Sequence, residues 1–347
     1  MKTQSRVQYL FNEPAEPGQV RELAPGVKWL CMPLPFGLSH INLYLLKDGD
    51  GWLAIDAGMK GDVGRETWRR VIAEHLDGLP LTGLLVTHLH PDHIGLAGWL
   101  VAEYGCKFFM SFSEYYMART FETQAGAARD EWRDGYYARE LGLPDEIVTE
   151  LATSAGGYGD YIEPVPYRFI RLSERDNLQV GDYSWRVIIG RGHSPEHICL
   201  YNEQLGMLIA GDQALPKVSA NVGVIGTEPE ANPMHDWLAS MAKLRHLPHD
   251  VLVLPAHNAP YYGLFARLDE IESYQFERLN AALLALKQPL NAYELMPVLY
   301  KKTLRGEQLM MAVGECLAHI RYLHAEGKIK RIEQDGSVRY QALARQG

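Results

Sequence analysis

The chain has 347 residues, enough for one large domain with a small companion, and its 47% hydrophobic and 22% charged residues are ordinary for a globular protein. Its net charge of −9 argues against a sequence-independent grip on nucleic acid. No run approaches eighteen apolar residues and the polar amino terminus has no apolar signal core, so neither a membrane span nor a secretory leader is expected; four scattered cysteines form no disulfide framework and suit a reducing cytoplasm.

In chain order, Val27 to Leu46 reads as two strands around the Pro33-Leu34-Pro35-Phe36-Gly37 turn. Asp48-Gly49-Asp50-Gly51 then makes a hairpin to a strand over Trp52–Ile55. That strand ends on Asp56-Ala57-Gly58, and Glu66 to Leu76 follows as a helix. The apolar Leu84-Leu85-Val86-Thr87 runs directly into His88-Leu89-His90-Pro91-Asp92-His93, three imidazoles and a carboxylate within six residues. Alternate strand residues share a face, so His88 and His90 can converge on one ion, while Asp92 and His93, beyond the turn at Pro91, point elsewhere and can hold a second. Nitrogen and oxygen donors of this kind suit a divalent ion such as zinc. Ile94 to Tyr104 reads as one helix whose amino terminus lies beside this cluster, with Gly95 and Gly98 permitting close approach.

Residues 112–168 form a helical insert, with helices expected over Glu114–Thr123, Ala127–Leu141 and Asp145–Ala155 and a break at Gly156-Gly157-Tyr158-Gly159. Its many aromatics, Trp132 and Tyr158 among them, suggest a cap over an apolar substrate pocket as well as packing. Further on, the strand-like Trp185–Ile189 precedes Gly192-His193-Ser194-Pro195-Glu196-His197, Met207–Ile209 precedes Ala210-Gly211-Asp212, and Val251–Leu254 precedes Pro255-Ala256-His257. Each delivers a ligand-type side chain at a glycine or proline turn after a β-rich run. Lys217 and Asn221, in the loop leaving Asp212, are candidates for a substrate carboxylate or oxyanion. His197 is expected behind the ligands or facing substrate, and His40 as a loop residue.

From residue 265 the pattern turns helical, over Leu268–Leu286, Ala292–Tyr300 and Leu309–Glu326, and ends in a hairpin from Lys328 to Tyr340 around Asp335-Gly336. Helices followed by a basic hairpin resemble a winged helix, a shape that binds nucleic acid. Twelve Lys and Arg against ten Asp and Glu give residues 265–347 a net of only +2, a weak footprint, so a packing or dimerisation module is preferred.

The ordered set Asp56, His88-x-His90-x-Asp92-His93, His193, Asp212, His257 resembles the metallo-β-lactamase superfamily over roughly residues 27–260. The resemblance implies an αββα sandwich over residues 1–264, with the insert and the small carboxy-terminal domain, 265–347, added to it. It implies that His88, His90 and His193 hold a first metal ion, that Asp92, His93 and His257 hold a second, and that Asp212 bridges them. It places Asp56 behind the site as the carboxylate that orients a ligating imidazole. Two such ions share a water and bring hydroxide within reach at pH 7, with Asp92 orienting it and carrying its proton. Zinc fits this donor set, as do iron and manganese. Asp212 stands where the β-lactamases with a cysteine in the second site would show that cysteine, and His90 stands where oxygen-reducing diiron relatives carry Glu. The expectation is therefore a binuclear hydrolase of a small acyl compound, a thioester, ester or lactone. The alternatives are a phosphodiesterase or endoribonuclease and, outside enzymes, a nucleic-acid-binding regulator with a vestigial site; an iron-dependent sulfur dioxygenase shares the ligands.

Overall fold

The computed structural model of the chain describes residues 7–11, 16–35, 39–123, 131–153, 157–334 and 336–344. Among the described residues, two seven-stranded sheets lie face to face with helices on their outer sides. The first sheet runs in the order Val20–Ala24, Val27–Pro33, His40–Asp48, Gly51–Ile55, Leu81–Leu85, Lys107–Met110, Ile170–Arg171. It is antiparallel up to Gly51–Ile55 and parallel beyond. The second runs Gln8–Tyr9, Tyr261–Tyr262, Leu252–Pro255, Met207–Gly211, His197–Asn202, Tyr183–Gly190, Asn177–Val180, with Met207–Gly211 and Leu252–Pro255 its parallel pair.

Three apolar layers hold the sandwich. Trp29, Tyr44, Leu53 and Ile55 interlock with Trp185, Val187, Leu200 and Leu254 between the sheets. The outer face of the first sheet is covered by the helices Asp62–His75, through Trp68 and Val71, and Ala97–Tyr104, through Leu100. The outer face of the second is covered by Pro233–Leu244, through Met234, Trp237 and Met241, and by the first half of Leu264–Ala285. These are the αββα layers expected. Contiguous apolar area, rather than propensity, secures the layers, because each strand or helix is stable only once its apolar face is covered.

The expected helix Ile94–Tyr104 is two elements, Pro91–Ile94 and Ala97–Tyr104. The Leu96 N–H donates to the Gly58 carbonyl at 3.0 Å instead of continuing the helical ladder. Gly95 makes the crossing feasible, since a Cβ there would lie 2.4 Å from the Pro91 oxygen and 2.5 Å from the Lys60 nitrogen. Short strands at Val20–Ala24 and Lys107–Met110 and the helix Pro233–Leu244 add to the elements read from the sequence.

The insert divides its allegiance. Its first helix, Phe112–Thr123, lays Tyr115 and Ala118 on the first sheet's outer core. Its later helices, Glu131–Arg139 and Asp145–Thr153, bring Tyr136 and Val148 into a separate core with Leu279, Leu295, Val313, Leu317 and Tyr340. Residues 127–130 and 154–156, like Phe36, Gly37 and Asp335 of the two expected turns, lie outside the described residues. The carboxy-terminal part is three helices, Leu264–Ala285, Ala292–Leu299 and Gly306–Ala325, followed by the hairpin Ile329–Gln334 and Ser337–Ala342. Leu264–Ala285 is continuous and serves two cores, Leu268 and Ile271 in one and Leu279 and Ala282 in the other.

Candidate metal centre

Four strands end at one edge of the sandwich and release the candidate ligands there. His88, His90, Asp92 and His93 follow Leu81–Leu85, His193 follows Tyr183–Gly190, Asp212 follows Met207–Gly211 and His257 follows Leu252–Pro255. The structure brings all seven together as three overlapping groups whose donor atoms lie within 4.8 Å of one another: His88, His90 and His193; His88, His93 and Asp212; Asp92, His93 and His257.

Asp212 faces both sides of the cluster. Its Oδ2 lies 3.3 Å from His193 Nε2, while its Oδ1 lies 3.7 Å from His93 Nε2 and 3.6 Å from His257 Nε2. Asp92 Oδ2 lies 3.4 Å from His257 Nε2 and 3.8 Å from His93 Nε2. His88 Nε2 and His90 Nδ1 approach to 2.9 Å. His93 Nε2, His193 Nε2 and Asp212 Oδ1 are buried without a hydrogen-bond partner. Orphaned polar atoms in a folded interior are costly, and here they are imidazole and carboxylate donors converging on one space. That donor set fits divalent cations.

The backs of the imidazoles are fixed. His193 Nδ1 donates to the Asn221 carbonyl at 2.8 Å, which turns Nε2 toward the cluster. His93 Nδ1 sits 2.8 Å from Asp56 Oδ2, and Asp56 Oδ1 accepts the Thr87 N–H at 2.7 Å. Asp56 holds a positive φ of 64°, a conformation Asp tolerates better than most residues, and this turns its carboxylate back toward His93. His257 Nδ1 is 3.5 Å from the His40 carbonyl, and His40 begins a strand.

Burial, reinforced by the surrounding imidazoles, holds His88 well below the ordinary imidazole range and His90 at about 3. Both rings are therefore neutral at neutral pH, each with one nitrogen lone pair to offer. Burial also opposes a charge on His93, but the carboxylates of Asp56, Asp92 and Asp212 overcome it and hold that ring well above its ordinary value. Burial works against ionisation of Asp92 and Asp212 too, and the imidazoles of His93 and His257 outweigh it, keeping both carboxyls below their usual range. Carboxylates gathered at this point favour positive charge and hold the imidazoles of His93 and His257 above their ordinary values; a cation would supply that charge in place of protons.

His197 is fully buried, so it faces no substrate. Its Nε2 accepts the Asp212 N–H at 3.1 Å, and burial lowers its proton affinity to about 3. Tyr158 lies against the cluster, but its hydroxyl donates to the Leu89 carbonyl, between His88 and His90. Asn221 meets the site through its carbonyl; its amide donates to the Met311 carbonyl at 3.4 Å, and Lys217 is exposed in the same loop. Trp132 stands on Tyr136, with ring centroids 6.0 Å apart, in a groove with Pro229, Glu230 and Ser337 that contains none of the seven clustered residues.

Glu114 is the residue that sequence reasoning missed. Fully buried on the insert's first helix, it accepts the Leu89 N–H at 2.9 Å through Oε2 and the Glu196 N–H at 2.8 Å through Oε1. Its partners lie 25 and 82 residues away, and no motif marks such a pairing.

Fold and site together define an enzyme, a metal-dependent hydrolase, and comparison with known proteins agrees. The model of the metallo-beta-lactamase superfamily matches residues 36–257, and the chain belongs to that superfamily. A second model, the metallo-beta-lactamase-like C-terminal domain, matches residues 279–343. The crystal structure of a beta-lactamase domain protein from Burkholderia ambifaria is 37% identical, covers 97% of this chain and 98% of its own, and superposes with a TM-score of 0.88. The probable metallo-hydrolase YqjP of Bacillus subtilis (strain 168) is 25% identical over 331 residues, 90% of this chain and 97% of its own. A hydroxyacylglutathione hydrolase of Francisella tularensis is 26% identical over 215 residues, 62% of each chain.

Proposed function

We propose that the protein is a binuclear hydrolase of small acyl compounds, with thioesters, esters and lactones as the substrate class. The observation that carries this reading is the placement of Asp212, one oxygen toward His193 and the other toward His93 and His257. His88, His90 and His193 would hold one divalent ion, Asp92, His93 and His257 the second, and Asp212 both, with zinc the best fit and iron or manganese also suited. When bound, such a pair supplies Lewis acidity toward a carbonyl oxygen and lowers the pKa of a shared water. The side chain of Asp92 keeps more contact with solvent than those of Asp212 and His257, 22% exposed against 10% and 6%. Its carboxylate can orient the attacking water and pass the proton to the leaving group.

The acyl class is favoured by similarity to a hydroxyacylglutathione hydrolase and by the charge balance of the carboxy-terminal hairpin. A nuclease needs free cations, yet Arg331 is paired with Glu140 and Glu333 at 2.9 and 2.8 Å, and Arg339 is held bidentately by Glu294 at 2.7 Å. The winged-helix-like part is accordingly read as a packing module, fastened to the insert through the core around Val313 and Tyr136. Four free, buried cysteines suit a reducing cytoplasm. The test is a hydrolysis screen of zinc-loaded enzyme against acyl thioesters, lactones and single-stranded RNA. Turnover of an acyl compound is expected; RNA cleavage with no acyl turnover overturns the reading.

A further inference from the structure

We propose that Glu114 is the positioning residue that ties the two ligand-bearing loops of the His88–His90–His193 group together, and so sets that group's metal affinity. The inference rests on the binuclear reading above. Leu89 separates His88 from His90, so the orientation of its peptide fixes the angle between the two imidazoles. Both polar groups of that residue are taken by the insert: its N–H donates to Glu114 Oε2 at 2.9 Å, and its carbonyl accepts the Tyr158 hydroxyl. The other oxygen of Glu114 takes the Glu196 N–H at 2.8 Å, three residues beyond His193. One carboxylate therefore spans the two loops that must converge if His88, His90 and His193 are to share an ion.

The link is reinforced in the opposite direction. Glu196 Oε2 accepts the Ser113 N–H at 2.9 Å, and the Glu196 carbonyl accepts the Ser111 hydroxyl at 2.8 Å. The start of the insert's first helix and the His193 loop are thus laced by three hydrogen bonds, all of them at Glu196. Glu114 is wholly buried, and removing it leaves the buried Leu89 N–H and the partly buried Glu196 N–H without their acceptor. The insert's role at the metals is then to hold the first group's loops in register. The hydroxyl of Tyr158 is spent on Leu89, which removes it as a hydrogen-bond donor to substrate.

The test compares Glu114→Gln with Glu122→Gln. Gln is isosteric but offers one acceptor and one NH2 group, which cannot satisfy two facing N–H donors. Glu122 lies on the same helix and, among the described residues, accepts a hydrogen bond from the Val165 N–H at 3.3 Å and from neither loop. Zinc affinity is read by competition with a chromophoric chelator, alongside circular dichroism. Glu114→Gln should weaken one of two zinc sites about ten- to a hundredfold, the range for lost outer partners of metal ligands, and excess zinc should restore kcat. Glu122→Gln should keep both affinities. Equal affinities in folded Glu114→Gln and wild type overturn the inference, as does the same loss in Glu122→Gln. If wild type itself binds fewer than two ions, the binuclear reading has failed instead. Hydrogen exchange on the unmodified chain decides the matter if Glu114→Gln does not fold: Leu89 and Glu196 amides protected to the global unfolding limit support the clamp, and exchange within seconds overturns it.

Discussion

His197 Nε2 accepts the backbone N–H of Asp212 at 3.1 Å, so the imidazole stands directly behind the carboxylate that faces both halves of the cluster. Gly211, the last residue of the strand before Asp212, makes this approach feasible: its φ is +51°, and a Cβ there would lie 2.4 Å from His197 Nε2. Gly211→Ala should therefore displace Asp212 and deplete both metal sites while the distant cores stay intact. Metal content by elemental analysis, with circular dichroism as the folding control, checks this. A variant with wild-type metal content would show that the contact does not place Asp212.

Asp56→Asn should fold, because Asn tolerates the positive φ of 64° and can still accept the Thr87 N–H. An amide NH2 facing His93 Nδ1 would, however, reverse that ring's tautomer and put the proton on Nε2, the atom directed at Asp92 and Asp212. Zinc affinity at the second site should fall about ten- to a hundredfold, with the first site unchanged. A titration showing two undisturbed sites would contradict the assigned role of Asp56.

Neutralising the hairpin through Lys328→Gln, Lys330→Gln and Arg331→Gln should leave acyl hydrolysis nearly intact and insensitive to salt. Arg331 already spends its charge on Glu140 and Glu333, and partly exposed ion pairs of this kind are worth no more than about 1 kcal/mol. Rates measured across a salt series give the answer. A steep salt dependence that disappears in the triple variant would point to a polyanionic substrate.

The hexapeptide His88–His93 was legible because its chemistry is local: ligands two residues apart on a strand end need no tertiary knowledge to be seen converging. Asp56, His193, Asp212 and His257 were legible for a related reason, each following an apolar run at a glycine or proline turn. What the chain does not reveal is pairing across distance. Glu114 reads as one more acid in an amphipathic helix until Leu89 and Glu196 are brought to it. The break at Gly95 depended on a carbonyl from Gly58, and strands as short as Ile170–Arg171 exist only because Lys107–Met110 offers an edge. Trp132 shows the limit of aromatic content as a sign of a substrate pocket, since it stacks on Tyr136 in a groove apart from the ligand cluster.

The carboxy-terminal core carries a pH dependence of its own. His319 is fully buried on Gly306–Ala325 with Nδ1 against the Glu315 carbonyl, and burial, aided by Arg278, lowers its proton affinity from 6.5 to about 4. Between those values the unfolded chain binds the proton and the folded chain does not, so stability is complete above pH 6.5 and declines on acidification toward pH 4. The loss attributable to this ring is about 3 kcal/mol. His319→Leu should remove it, so that the wild-type and variant stability curves converge or cross as pH falls. Parallel curves by chemical denaturation across this window would contradict the assignment.

The most direct test of the central claim is the metal stoichiometry of protein purified without chelator, read for wild type, Asp212→Ala and His257→Ala. Sharing of Asp212 between two ions predicts close to two per chain in wild type, about one in His257→Ala, and depletion of both sites in Asp212→Ala. One ion or none in fully folded wild-type protein, or a single-site loss in Asp212→Ala, would contradict the binuclear centre.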